Sequence, residues 1–219
     1  MVKKVIPRII YITIIISTLL FSSFILSGCG KQNQSNKLLE QKGGEIMQEG
    51  QKQKILMVVA PEGFQEKEYF GPKNIFENFG YQVITATKGT NQAKSSQGTT
   101  INTELLLNQV KIDDFSALVF VGGPGTTVYF NDQEVLALAK EAVQKEKVVG
   151  AICIAPSILA NAGILKGKRA TAFPSEEKNL KDNGAIFTGE AVTVEGKIIT
   201  GNGPGAAEEF ARKIVEILK

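Results

Sequence analysis

The stretch VVGAICIAPSILANAG, Val148 to Gly163, decides the fold. Val148 to Ile152 is uncharged and follows the polar run Gln144 to Lys147, as expected of a buried central strand in a parallel sheet. Beyond Cys153, Pro156 suits a first helical turn. Ile158, Leu159 and Ala162 give a helical apolar stripe, and Gly163 can close the helix. Cys153 therefore falls on the hinge between strand and helix. A sharp hinge of this kind leaves no room for large side chains two residues either side of its central residue, and those positions are Ala151 and Ala155. The free N–H groups of the helix start favour thiolate, so a thiol pKa below the free value of about 8.5 is expected. The competing reading is a small buried hydrophobe, since unpaired cysteine is among the most buried residue types.

Outward from the hinge, strands and helices alternate. Lys54–Ala60, Gln82–Ala86 and Ala117–Val121 read as buried strands. A helix carrying Tyr69, Phe70, Ile75, Phe76 and Phe79 follows the first and is closed by Gly80. Gly89–Thr99 reads as a loop, and Thr100–Val110 resists placement. Asn131 and Glu134 suggest a capping box for a helix bearing Val135, Leu138, Ala139, Ala142 and Val143. Later segments read as a strand (Arg169–Phe173), a short helix (Ser175–Asp182), a hairpin around Gly196 and a last helix (Ala206–Leu218). This order predicts a doubly wound, mostly parallel α/β sheet covered on both faces, with ligands bound beyond the carboxyl ends of its strands.

Three loops converge on that edge: the exit of the first strand, the glycine run after Val121, and the hinge at Cys153. Glu68 is the best placed carboxyl, able to hold a thiol proton or return it. The alternative is a solvated carboxylate favoured by a helix start. Gly122 and Gly123 could aim N–H groups at a developing oxyanion, with Ile154 N–H as a further donor; a plain tight turn is the alternative.

The first 52 residues read differently. Lys3, Lys4 and Arg8 precede an uncharged apolar stretch, Ile9 to Leu26, which ends in Leu26-Ser27-Gly28-Cys29. This order predicts a signal peptide over residues 1–28. The box resembles that of bacterial lipoproteins, which implies cleavage before Cys29, its acylation, and a membrane-anchored protein on the extracytoplasmic side. An uncleaved single span is the alternative. Residues 29–52 are polar and read as a flexible linker, leaving 53–219 as the folded domain. With the three basic leader residues set aside, the remaining Lys and Arg balance the 22 acidic residues, so no nucleic-acid partner is expected. Cys29 and Cys153 are the two cysteines, and the chain has no histidine, which excludes a Ser/His/Asp triad or a Cys/His dyad.

From Gln53 onward the chain resembles the ThiJ/PfpI superfamily of intracellular proteases and Parkinsonism-associated deglycase-type proteins. The resemblance is carried in order by EKEYFGP (66–72), ALVFVGGPG (117–125), AICIAP (151–156), ATAFP (170–174) and GKIITGNGPG (196–205). It implies a flavodoxin-like sandwich, related to the class I glutamine amidotransferases, with Cys153 as the reactive cysteine, Glu68 as its carboxyl partner, and Gly122 and Gly123 as the oxyanion loop. A homodimer is implied too. The chain departs from the pattern where Ile154 and Phe173 stand in place of histidines and Asn202 in place of an arginine. Without histidine, peptidase or amidase chemistry is disfavoured. The expectation is a cysteine-dependent protein acting on small reactive carbonyls or in oxidative-stress response, needing no cofactor or metal. The alternative is a non-catalytic binding or chaperone-like module with a pocket lined by Phe173, Ile154 and Tyr129.

Overall fold

The computed structural model describes residues 52–219, so the leader, Cys29 and nearly all of the linker lie outside the described residues. The strands and helices run in the order β1 (Lys54–Val58), β2 (Glu62–Phe64), α1 (Glu66–Asn78), β3 (Gln82–Thr87), β4 (Gln92–Ser95), β5 (Thr100–Asn102) and β6 (Leu105–Leu106). They continue with β7 (Ala117–Phe120), α2 (Gln133–Gln144), β8 (Val148–Ile152), α3 (Pro156–Asn161), β9 (Arg169–Ala170), α4 (Glu177–Asp182) and β10 (Ile186–Phe187). The chain closes with β11 (Val192–Glu195), β12 (Ile198–Gly201) and α5 (Ala207–Leu218). A seven-stranded sheet of order β11-β12-β8-β7-β1-β3-β6 forms the spine. Every pairing in it is parallel except β11 with β12. This is the doubly wound, flavodoxin-like architecture expected from the sequence.

Alternation along the strands makes the two cores. In β1, Leu56 and Val58 face one cluster with residues of α2, α3 and α4, while Ile55 and Met57 face the other with α1 and α5. Phe210, Ala211, Ile214 and Val215 form the buried stripe of α5. Gly150 lets that helix approach: a Cβ there would lie 2.8 Å from both the Phe210 and Ile214 side chains. Strand β8 is thus buried on both faces.

Four local expectations are corrected. Residues 92–95 are not loop but strand β4, part of a separate sheet of order β2-β4-β5, where Ala93 and Ser95 turn inward and polar neighbours turn out. Thr100–Val110 divides into β5, β6 and a short 3₁₀ turn. The strand expected over 169–173 keeps only Arg169–Ala170, paired with β10 outside the main sheet, because the next amide, Thr171 N–H, donates to the Thr200 hydroxyl instead of a strand. The cap of α2 is Asp132 rather than Asn131: its Oδ1 accepts from Glu134 N–H (3.0 Å) and Val135 N–H (3.2 Å).

Candidate active site

Cys153 joins β8 to α3 with φ at 63°, a left-handed backbone conformation that L-residues other than Asn and Asp seldom adopt. The neighbouring elements hold it there. Its N–H donates to Gly201 C=O (2.9 Å) at the end of β12, and its own C=O accepts from Phe173 N–H (2.7 Å). Ala151 and Ala155 are both fully buried, so nothing larger fits on either side without repacking. Cys153 as a whole is 8% exposed.

Glu68, in the first turn of α1, is fully buried, not solvated. Its Oε2 accepts from Gly122 N–H at 3.1 Å. The carbonyl of that same Gly122 accepts from Gln65 N–H (2.9 Å), so the glycine loop is stitched to the start of α1 at both ends of one residue. A Cβ on Gly122 would lie 2.5 Å from Cys153 Cβ and 2.6 Å from Glu68 Oε2. Cysteine, glycine and carboxyl are in contact, and only glycine fits between the other two. Gly123, with φ at 111°, is equally constrained: its Cβ would meet Gly63 O at 2.4 Å and Gln65 N at 2.5 Å.

The donor assignment differs from the one expected. Gly122 N–H is spent on Glu68, while the N–H groups of Gly123 and Ile154 lie near enough to the Cys153 sulfur to favour its thiolate form. Oε1 of Glu68 has no partner that meets hydrogen-bond geometry, although the carboxyl and the thiol are close enough for each to shift the other's titration. Burial raises Glu68 to about 7, opposed by the nearby Cys153 thiol and by the bond from Gly122 N–H. Burial, and then the negative charge of Glu68, push the Cys153 thiol up to about 12 against the pull of the two N–H groups. This direction runs against the low thiol pKa expected from the helix start. A thiolate would face the neighbouring carboxyl in a buried site, which favours the thiol form.

The remaining expected site residues divide. Phe173 is 43% exposed and bonded through its amide to Cys153; Ile154 is half-buried against the α1/α5 core. Asn202 is half-buried, and its N–H donates to Ala191 C=O. Tyr129 does not line a pocket. It is 2% exposed in the α2/α3 core, where its hydroxyl donates to Val59 C=O (3.0 Å) and lies near the Thr87 hydroxyl and Lys88 N–H. Missing from the sequence reading were Gln65, the second tie on Gly122, and Gly125, where a Cβ would lie 1.6 Å from Glu62 O. The Gly-Pro-Gly run after Gly122 was the available signal.

The DJ-1/PfpI family matches residues 53–217. An uncharacterized protein of Methanocaldococcus jannaschii is 40% identical over 171 residues, which cover 76% of this chain and 82% of that one. A glutathione-independent glyoxalase of Caenorhabditis elegans is 30% identical over 75% of this chain and 88% of its own. Among solved structures, a ThiJ/PfpI domain protein from Brachyspira murdochii has a TM-score of 0.75 at 34% identity, covering 77% of this chain and 98% of that one.

Proposed function

This chain belongs to the DJ-1/PfpI family, and from that premise we propose that it is an enzyme for small reactive carbonyls, with Cys153 as nucleophile and Glu68 as its proton acceptor. The observation that carries the reading is a fully buried carboxyl coupled to a thiol at a strained hinge. A carboxyl held near pKa 7 is matched to general base work at neutral pH. The similarity to a glyoxalase suggests 2-oxoaldehydes as the substrate class.

In this mechanism Glu68 takes the thiol proton as sulfur adds to the aldehyde carbon, which removes the unfavourable thiolate–carboxylate contact during the step. The resulting alkoxide is protonated, giving a hemithioacetal. Glu68 then moves the carbon-bound hydrogen, as a proton, from the former aldehyde carbon to the adjacent ketone carbon. The first carbon becomes a thioester and the second an alcohol, and water releases a 2-hydroxy acid. No histidine is needed, because one carboxyl serves every proton transfer.

The test is production of 2-hydroxy acid from methylglyoxal without added thiol. Wild type should turn over, and Cys153→Ser and Glu68→Gln should not. The rival reading, a non-catalytic binding module, draws support from the burial of Cys153, which pushes its thiol pKa up. Ligand binding by wild type with no turnover would establish it.

We further propose that the domain is tethered to a membrane through acylated Cys29, on the order of residues in the leader. A Cys29→Ser variant should lose lipid mass and release from membranes; a variant retained like wild type would point to an uncleaved span.

A further inference from the structure

The sheet edge opposite Cys153 carries a cleft of about 320 Å³, lined by Lys52, Lys54, Lys147, Asp113, Asp114 and Ser116 among others. Lys54 opens β1, Lys147 directly precedes β8, and Asp113 to Ser116 lead into β7. These three strands are parallel neighbours, so the cleft gathers their amino ends while Cys153 leaves the carboxyl end of β8. At about 3.3 Å per residue, the five residues of β8 set the two edges about 17 Å apart.

The charges of the cleft are unequal. Asp113 is engaged by Lys145 at 2.7 Å, and Lys147 reaches only the Asp113 carbonyl at 3.3 Å. Lys52, Lys54 and Lys147 form no ion pair among the described residues. Three ammonium groups thus face one unpaired carboxylate, Asp114. That arrangement suits a phosphate or phosphodiester group.

The position of the cleft identifies its source. Lys52, one of its walls, is the first described residue, and residues 30–51 connect it to Cys29 and the apolar stretch before it. Even fully extended, 22 residues span at most about 75 Å. Any membrane holding the leader therefore presents headgroups to this cleft at high effective concentration.

We propose that the cleft at the amino edge of the sheet receives the phosphate of an anionic lipid headgroup, seating the domain on its own membrane with the Cys153 edge turned away from the bilayer. This rests on the membrane-tethering reading above. Each lysine close to an anionic leaflet raises partitioning about fivefold, so three give about a hundredfold preference for the seated state.

The full chain is reconstituted in nanodiscs of phosphatidylcholine alone or of phosphatidylcholine with phosphatidylglycerol. Lysines are acetylated briefly and located by mass spectrometry. Lys52, Lys54 and Lys147 should be protected only in the anionic discs, while Lys178, with 85% of its side chain exposed, should label equally in both. Equal labelling of the three lysines in both discs overturns the proposal, as does protection that includes Lys178. Inorganic phosphate protecting the three equally well in neutral discs also overturns it, by making the cleft a site for free phosphate. If neither disc retains the chain, the tethering reading fails and co-sedimentation decides: binding to phosphatidylglycerol vesicles that a Lys52→Gln/Lys54→Gln/Lys147→Gln variant loses supports the cleft, and no binding overturns it.

Discussion

The backbone N–H of Gly122 donates to Oε2 of Glu68 across 3.1 Å, which fixes the carboxyl of one loop by the main chain of another. A side chain cannot be added there. In Gly122→Ala the methyl would meet backbone, sulfur-bearing and carboxyl atoms inside 2.8 Å, so the variant should lose about 1–3 kcal/mol of stability and displace Glu68. Thermal unfolding and Cys153 alkylation rates check this, and a wild-type melt would show that the loop has slack.

Because the charge of Glu68 helps raise the thiol, Glu68→Gln should lower the Cys153 pKa. Alkylation at neutral pH should then rise about tenfold for every unit of that fall, while carbonyl turnover disappears. Mapping iodoacetamide adducts at Cys153 against pH measures the first part. An unchanged profile would show that the two groups do not share their proton.

Stability should depend on pH through the same carboxyl. The folded pKa of about 7 lies above the ordinary 4.5, so the folded state binds this proton more tightly than the unfolded chain. The contribution is full below pH 4.5 and is lost as pH rises through 7, amounting to about 3 kcal/mol. Urea unfolding at both ends of that window should show the loss in wild type and its absence in Glu68→Gln.

Tyr129→Phe separates core from site. The hydroxyl serves Val59, Thr87 and Lys88 in a buried position, so its removal should cost about 1–3 kcal/mol while leaving thiol chemistry intact. Altered Cys153 reactivity in this variant would return Tyr129 to the pocket.

What the sequence revealed follows from which signals are local. Val148–Ile152 and Ala117–Phe120 are uncharged runs, and a strand buried on both faces needs nothing more to be seen. Gln92–Ser95 hid because its sheet has one wet face and its inward residues are small. Asn131 and Asp132 are adjacent caps of equal chemistry, and only geometry chooses between them. At the site, the two alanines around Cys153 are local and legible. The burial of Glu68, 85 positions away in sequence, is not, and it is burial that reverses the expected direction of the thiol's titration. Tyr129 misled for the same reason: proximity in sequence to Gly123 says nothing about which side of the sheet its ring enters.

The strand that bears the cysteine lies between β7, already made when it emerges, and β12, whose residues come some fifty positions later. During synthesis, then, Val148–Ile152 is an open sheet edge followed by a thiol, and it stays so until Ile198–Gly201 is added. A chain interrupted between those points presents both an unpaired apolar strand and a free thiol to whatever surrounds it. Truncation before Ile198 should therefore yield aggregates and mixed disulfides rather than a smaller working domain.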